Sequence, residues 1–434
     1  MKTRPCLIPA IFAMLLLPLG AIAEGPIHFH GQFHSTDGQP LSGAHQVNFE
    51  FFVNSSLSGI PLWSETHTVV ADGQGNYEIE LGSETQQNPF KESKVIYVTA
   101  ETQTATAEIV KVETAITSIP QGIWLNCNPD NGSDACDNGT TLNTESAIKT
   151  IAAAHFRYIL NADNLWGTQA EITAYANQAN TSGVKIIWYL GSDFSLKLSS
   201  TSYLLISNDS ELPTNFCSGC SNTSFVTALV AYLKTFPATA GYLIDDEEIQ
   251  VAANGYPIGS SGAKAATKDG TDLGSLAKLI RATDSTHPIY GTEDYNDLPN
   301  ASEAELAAYY SYVPSGTLTY YGSDYYPVGV LTNPPTDAQL VADQQADGDW
   351  LDTVAKSHGA TGTFEDLQAY NWSDTWEGGC QSSSCAFPTI AQLEDILKGA
   401  TQTTTPPDQV FWWEYTDVVY NNQWSNLVTA ANPQ

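Results

Sequence analysis

The residues able to do chemistry gather where short apolar segments end. Gly241-Tyr242-Leu243-Ile244 runs straight into four acids, Asp245-Asp246-Glu247-Glu248. Thr292-Glu293-Asp294-Tyr295 and Ser323-Asp324-Tyr325-Tyr326-Pro327 close two further segments. Glu365-Asp366 with Gln368-Ala369-Tyr370-Asn371-Trp372 closes another, and Trp412-Trp413-Glu414-Tyr415 the last. Cleaving a glycosidic bond takes two carboxyl groups, one holding a proton at working pH and the other ionised. Four adjacent acids cannot all ionise freely, because like charges within several ångström raise one another's pKa. The run at Asp245 to Glu248 is therefore a place for a proton-holding acid. Alternation along a strand sends Asp245 and Glu247 to one face and Asp246 and Glu248 to the other. A solvated acidic loop or a calcium site is the competing reading of the same four residues.

Aromatic residues accompany these acids. Sugar rings stack their apolar C–H faces on Trp and Tyr, and their hydroxyls need planar acceptors such as carboxylates and amides. Trp188, Tyr189, Tyr325, Tyr326, Tyr370, Trp372, Trp412, Trp413 and Tyr415 all fall at or near segment ends. One parity of each strand must face its covering helices, so about half of these rings would line a cleft. Trp188, Tyr326, Trp372 and Trp413 are candidate sugar-binding residues, with Asp324 and Gln368 as hydroxyl partners. Other chemistries fit less well. Gly259-Ser260-Ser261-Gly262 lacks the Gly-x-Ser-x-Gly spacing of a serine-hydrolase elbow. No His-Glu-x-x-His occurs and the eight histidines are scattered, which argues against a zinc hydrolase. No cofactor-binding motif stands out, and no metal is expected.

The elements that must position these residues follow a plain rhythm from about residue 118. Strands are expected at Gly122–Leu125, Phe156–Leu160, Val184–Tyr189, Gly241–Ile244, Pro288–Gly291, Leu318–Tyr321, Thr361–Phe364 and Val410–Trp413. Helices are expected at Thr144–Ala154, Ser224–Thr235, Leu273–Thr283, Ala301–Tyr310, Ala338–Ala355 and Ile390–Gly399. Short apolar strands alternating with helices signal a parallel α/β arrangement, and eight units match a (β/α)8 barrel. A doubly wound open sheet would carry a Gly-rich loop after its first strand, where Asn126-Cys127-Asn128-Pro129 stands instead. In a barrel all the acidic ends named above meet at one face.

The N-terminal part reads differently. Lys2 and Arg4, an apolar run from Leu7 to Leu19 and Ala21-Ile22-Ala23 make a signal peptide over residues 1–23, too short to span a bilayer comfortably. This implies secretion, extracellular or periplasmic, without membrane insertion. Residues 24–116 alternate in the period-two manner of strands, as in Val47-Asn48-Phe49-Glu50-Phe51, between Gly-rich turns such as Asp72-Gly73-Gln74-Gly75. They predict a small antiparallel β-sandwich, followed by the barrel over residues 118–434. His28, His30 and His34 suit the solvent face of such a sheet better than a metal. Six cysteines outside the signal form three close pairs, Cys127/Cys136, Cys217/Cys220 and Cys380/Cys385. In an exported chain such pairs read as local disulfides. The net charge is −32, or −34 without Lys2 and Arg4. That field repels phosphate backbones and anionic membranes, which excludes nucleic acid as a partner and favours a neutral carbohydrate.

The strand-four pattern Gly241-Tyr242 … Asp246-Glu247 in an eight-unit chain resembles the large clan of (β/α)8 glycoside hydrolases. The resemblance spans residues 118–434 as a plan and short motifs in detail. It implies a general acid/base glutamate at the end of strand four and a nucleophile at the end of strand seven. Carried over, Glu247 is the acid/base with Asp246 beside it, and Glu365 is the nucleophile. The best-known members have Asn-Glu-Pro at strand four, whereas Asp246-Glu247-Glu248 stands here. If Gln368 occupies the end of strand seven, Glu293 or Glu414 supplies the second carboxylate. The stretch Gly31-Gln32-Phe33 to Gly43, with Pro61-Leu62-Trp63-Ser64-Glu65, resembles an Ig-like module found ahead of secreted bacterial domains. A barrel that binds sugar without cutting it is the alternative function.

Overall fold

The computed structural model describes residues 27–33, 39–52, 61–81, 95–103, 109–117, 119–127, 136, 143–163, 165, 168–190, 221–246, 260–294, 303–328, 336–371 and 387–431. The signal segment, His34, Cys217, Cys220, Glu247, Glu248, Trp372, Cys380 and Cys385 lie outside the described residues. The chain divides into two compact units between Ile116 and Thr117.

The first unit is all β. Strands β1 (Ile27–Gln32) and β4 (Asn76–Leu81) pair antiparallel. A four-stranded sheet has the order β3 (Trp63–Ala71), β2 (Gly43–Phe52), β5 (Val95–Gln103) and β6 (Ile109–Thr117). Phe29, Val47, Phe49, Phe51, Val69, Tyr77 and Val98 form one core drawn from both sheets. These are the alternate apolar residues of the period-two pattern, which a pleated strand must put on one face.

The second unit is a closed barrel of eight parallel strands. In chain order they are β7 (Gln121–Trp124), β8 (Tyr158–Asn161), β9 (Lys185–Tyr189), β10 (Thr239–Asp246), β11 (Ile289–Asp294), β12 (Tyr320–Tyr325), β13 (Gly362–Gln368) and β14 (Gln409–Trp413). β14 closes on β7 through Val410, Phe411 and Trp412 paired with Gln121, Gly122 and Ile123. The helices are α1 (Thr144–Ala153), α2 (Gln169–Ser182), α3 (Asn222–Leu233), α4 (Ser260–Thr283), α5 (Glu303–Tyr310), α6 (Asp337–Ser357), α7 (Ile390–Thr401), α8 (Tyr415–Tyr420) and α9 (Trp424–Ala431). Helix α2 was not singled out in the sequence, although Thr168 and Glu171 form a capping box at its start and Gly183 ends it in the left-handed conformation.

Strands β10, β11, β12 and β13 run further than their apolar segments, so the acids expected at the strand ends stand within the strands. The barrel interior is filled by Trp124, Leu160, Ile187, Tyr189, Leu243, Tyr290, Phe364 and Phe411. Small residues make room for these rings: a side chain at Gly122 would collide with Phe411, and one at Gly322 with Phe364. This packing establishes which parity of each strand faces inward.

Candidate active site

Inward parity carries from Phe364 to Asp366 and Gln368 on β13, and from Gly322 to Asp324 on β12. Asp324 and Asp366 are register partners on neighbouring strands. Both are buried, Asp366 completely. Thr292 of β11 donates its hydroxyl to Asp324 Oδ1 at 2.5 Å, and Trp124 of β7 donates its indole N–H to Asp366 Oδ1 at 2.8 Å. Among the described residues no donor reaches Asp366 Oδ2. Burial above all, and then the charge of Asp324, push the Asp366 carboxyl well above the usual carboxylate range, with Asp246 contributing. Two carboxylates this close cannot both ionise, so the pair retains a proton that an isolated acid would lose.

Strand four contributes through an irregularity. Between Leu243 and Asp245 the ladder to β11 shifts by one residue, so that Asp245 pairs with Gly291 and Asp246 with Thr292. Simple alternation from the inward Leu243 would have turned Asp245 into the barrel. The bulge instead aligns Asp246 with the inward Thr292, and half-buried Asp246 is near enough to act on the Asp366 charge. Glu247, the next residue, falls outside the described residues.

The other expected carboxylates lie elsewhere. Glu365 points away from the mouth: Gln344 of α6 donates to its Oε2 at 2.7 Å, and a side chain at Gly348 of α6 would collide with its Oε1. Alternation accounts for this, because Glu365 stands between two inward residues. Glu293 shares the outward parity of Gly291, and its charge acts with that of Asp245 to help raise the Tyr310 phenol of α5, after burial. Glu414 is fully buried at the start of α8, where its Oε1 accepts from the Thr416 hydroxyl.

The predicted sugar-binding residues divide in the same way. Trp413 is half-buried at the mouth and stands edge-on to Trp124 at 4.7 Å between ring centroids. Trp188 is outward and completely buried, packed near Tyr175 and Phe236 with its N–H on Thr239 Oγ1. It is core, not a platform. Gln368 faces inward but is occupied: Val328 N–H donates to its Oε1, while its Nε2 donates to the carbonyls of Val328 and Tyr370. It ties the segment after β12 to the segment after β13. Tyr326 is buried and meets Tyr370 edge-on at 5.2 Å. Trp124, Thr292 and Asp366 were not singled out as site residues in the sequence. Counting in twos from the apolar inward residues would have found all three.

Past the ends of β7 and β8, Asn161 donates to Cys127 carbonyl, and Cys127 is disulfide-bonded to Cys136. Among the described residues no group of three or more His, Cys, Asp or Glu is arranged to hold a metal ion. None of the described helices is long and apolar enough to cross a membrane.

The described residues form a closed (β/α)8 barrel and, in the other unit, a small antiparallel arrangement of strands. A family profile described as a domain of unknown function (DUF8740) matches residues 28–112. No curated protein matches the sequence. Similar solved structures are glycoside hydrolases. A calcium binding mutant of Bacteroides uniformis β-glucuronidase 2 is 9% identical, with a TM-score of 0.42 over 89% of this chain and 44% of that one. A GH2 β-galacturonidase from Eisenbergiella tayi bound to galacturonate is 12% identical, with a TM-score of 0.40 over 90% and 64%. The β-glucuronidase of Parabacteroides merdae is 10% identical, with a TM-score of 0.37 over 90% and 46%. This chain thus spans less than half the length of either glucuronidase.

Proposed function

We propose that the protein is an exported O-glycosyl hydrolase acting on a polysaccharide or oligosaccharide without acidic groups. The observation that carries the reading is the buried Asp324–Asp366 pair at the barrel mouth, beside the Trp124–Trp413 aromatic corner. Strand β10 is two strands away from β12, about 10 Å at ordinary strand spacing. One sugar, in this reading, lies between the end of strand four and the pair. In this reading Glu247, beside Asp246, gives its proton to the glycosidic oxygen as the bond to the anomeric carbon breaks. The Asp324–Asp366 pair, sharing one proton, supplies one negative charge in a water-poor setting. That charge offsets the positive charge developing on the sugar ring, and water then bonds to the anomeric carbon, its proton returning to the Glu247 carboxylate. Thr292 and Trp124 hold the two carboxyl groups in place, and Trp413 offers an apolar face to the ring. The N-terminal unit, Ig-like in this reading, presents or attaches the barrel.

Reducing-sugar release from a panel of plant, fungal and bacterial polysaccharides tests the proposal, with wild type compared against Glu247→Gln. Release by the wild type that falls about a hundredfold or more in the variant is expected. Full release by the variant would remove Glu247 from the mechanism. Retention of a polymer without any release would make the barrel a carbohydrate-binding protein.

A further inference from the structure

We propose that the sugar bound at this mouth carries a free amine, so that the substrate class is a hexosamine oligomer or polymer in its ammonium form. The inference rests on the glycosidase reading and narrows its substrate. Three inward positions on three strands, Asp246, Asp324 and Asp366, are carboxylic acids. Asp366 Oδ2 is completely buried, receives no donor among the described residues, and belongs to the face that points into the mouth. The Asp366 carboxyl as a whole is met by the Trp124 indole and by the carboxyl of Asp324, with no cation against it among the described residues. A sugar hydroxyl would give that site one proton to share and leave the repulsion between register partners standing. An ammonium group brings three donors and a positive charge, and so takes the place of the shared proton. An N-acetyl group in the same position would set a methyl against carboxylate oxygens, with the desolvation cost that follows. The aromatic corner of Trp124 and Trp413 suits an aminated ring as well, since a cation is attracted to an indole face.

The distribution of charge over the barrel points the same way. Basic side chains gather at the end where the strands begin. Lys185 opens β9 and donates to Pro237 carbonyl ahead of β10. Lys234 follows α3 and donates to Thr283 carbonyl at the end of α4. Arg281 grips the Gly316 and Thr317 carbonyls ahead of β12, and Lys356 and Lys398 sit in the last turns of α6 and α7. Asp246, Asp324 and Asp366 stand toward the opposite ends of their strands, while Asp284 and Asp408 precede β11 and β14, within a chain of net charge −32. A mouth of one sign with low-dielectric walls raises the local concentration of the opposite charge.

The test is titration calorimetry and reducing-end release with a chitosan tetramer and its fully N-acetylated counterpart, at low and high salt. The free-amine tetramer is expected to bind at least about tenfold more tightly, a preference that shrinks in high salt and disappears in Asp366→Asn. Asp324→Asn, read in the same titration, provides a second variant should the first fail to fold. Equal or tighter binding of the N-acetylated tetramer, or of neither, overturns the amine assignment while release from any other glycan leaves the hydrolase reading intact. Tight binding of the free-amine tetramer with no release from any glycan keeps the amine assignment and overturns hydrolysis.

Discussion

Strands β12 and β13 carry acids on both faces, and the two faces have opposite surroundings. On the inner face, Asp324 and Asp366 meet each other, a threonine hydroxyl and an indole near the ends of their strands. On the outer face, Ser323 donates to Asp347 Oδ2 at 2.6 Å and Gln344 donates to Glu365 Oε2 at 2.7 Å, under helix α6. Both settings are buried, and in both the carboxyl groups are pushed upward. Asp347 rises to about 7 and Glu365 well above its usual range, each chiefly through burial. The lesson is that a buried acid with a raised pKa is not by itself catalytic. The inner pair faces the barrel axis, beside Trp124 and Thr292. The outer pair faces a helix with a glycine, Gly348, where any side chain would strike Glu365.

The comparison can be broken at either face. The largest effect is expected inside: Asp324→Asn should lower glycan release about a thousandfold with little change in melting temperature. The outer face should govern how stability depends on pH. The groups facing Glu365 and Asp347 are Asp349 on α6, Asp324 on β12 and each other, all acidic. Their folded pKa values lie above the unfolded ones, so the native state binds more protons. Stability is full below about pH 4 and is lost as pH rises through 7, on the order of 4 kcal/mol for Asp347 alone. Thermal melts from pH 4 to 8 should show a falling midpoint, and Asp347→Asn should flatten the curve. A flat wild-type curve would contradict the buried outer pair. Gly348→Ala should cost about 1–3 kcal/mol in denaturant titration, by forcing α6 off Glu365 and Thr403. The smallest effect belongs to Lys356→Ala, which removes an exposed ion pair with Asp352 and should change stability by under about 0.5 kcal/mol.

Much of this was legible in the sequence. Eight short apolar segments alternating with helices pointed to a barrel, and the closed parallel sheet has that form. The sequence places Asp324 and Trp413 at strand ends, and β12 runs through Asp324 to Tyr325 while β14 ends at Trp413. The sequence leaves the end of strand seven open between Glu365 and Gln368, and in the structure the pleat continues to Gln368. With the strand extended, Phe364 inward requires Asp366 inward and Glu365 outward. Asp245 and Asp246 could not be told apart by alternation, since the shift at Leu243 reverses the parity and arises from pairing with β11, a neighbour distant in sequence. Trp188 looked like a platform by residue type, but only its parity decides that it packs against Tyr175 and Phe236.

The most direct test of the account compares two adjacent substitutions, Glu365→Gln and Asp366→Asn, in the same glycan-release assay. Release close to wild type for Glu365→Gln, with a loss of about a hundredfold or more for Asp366→Asn, is the predicted result. The reverse pattern, with Glu365→Gln inactive and Asp366→Asn active, would contradict the assignment of the inner face as the site of chemistry.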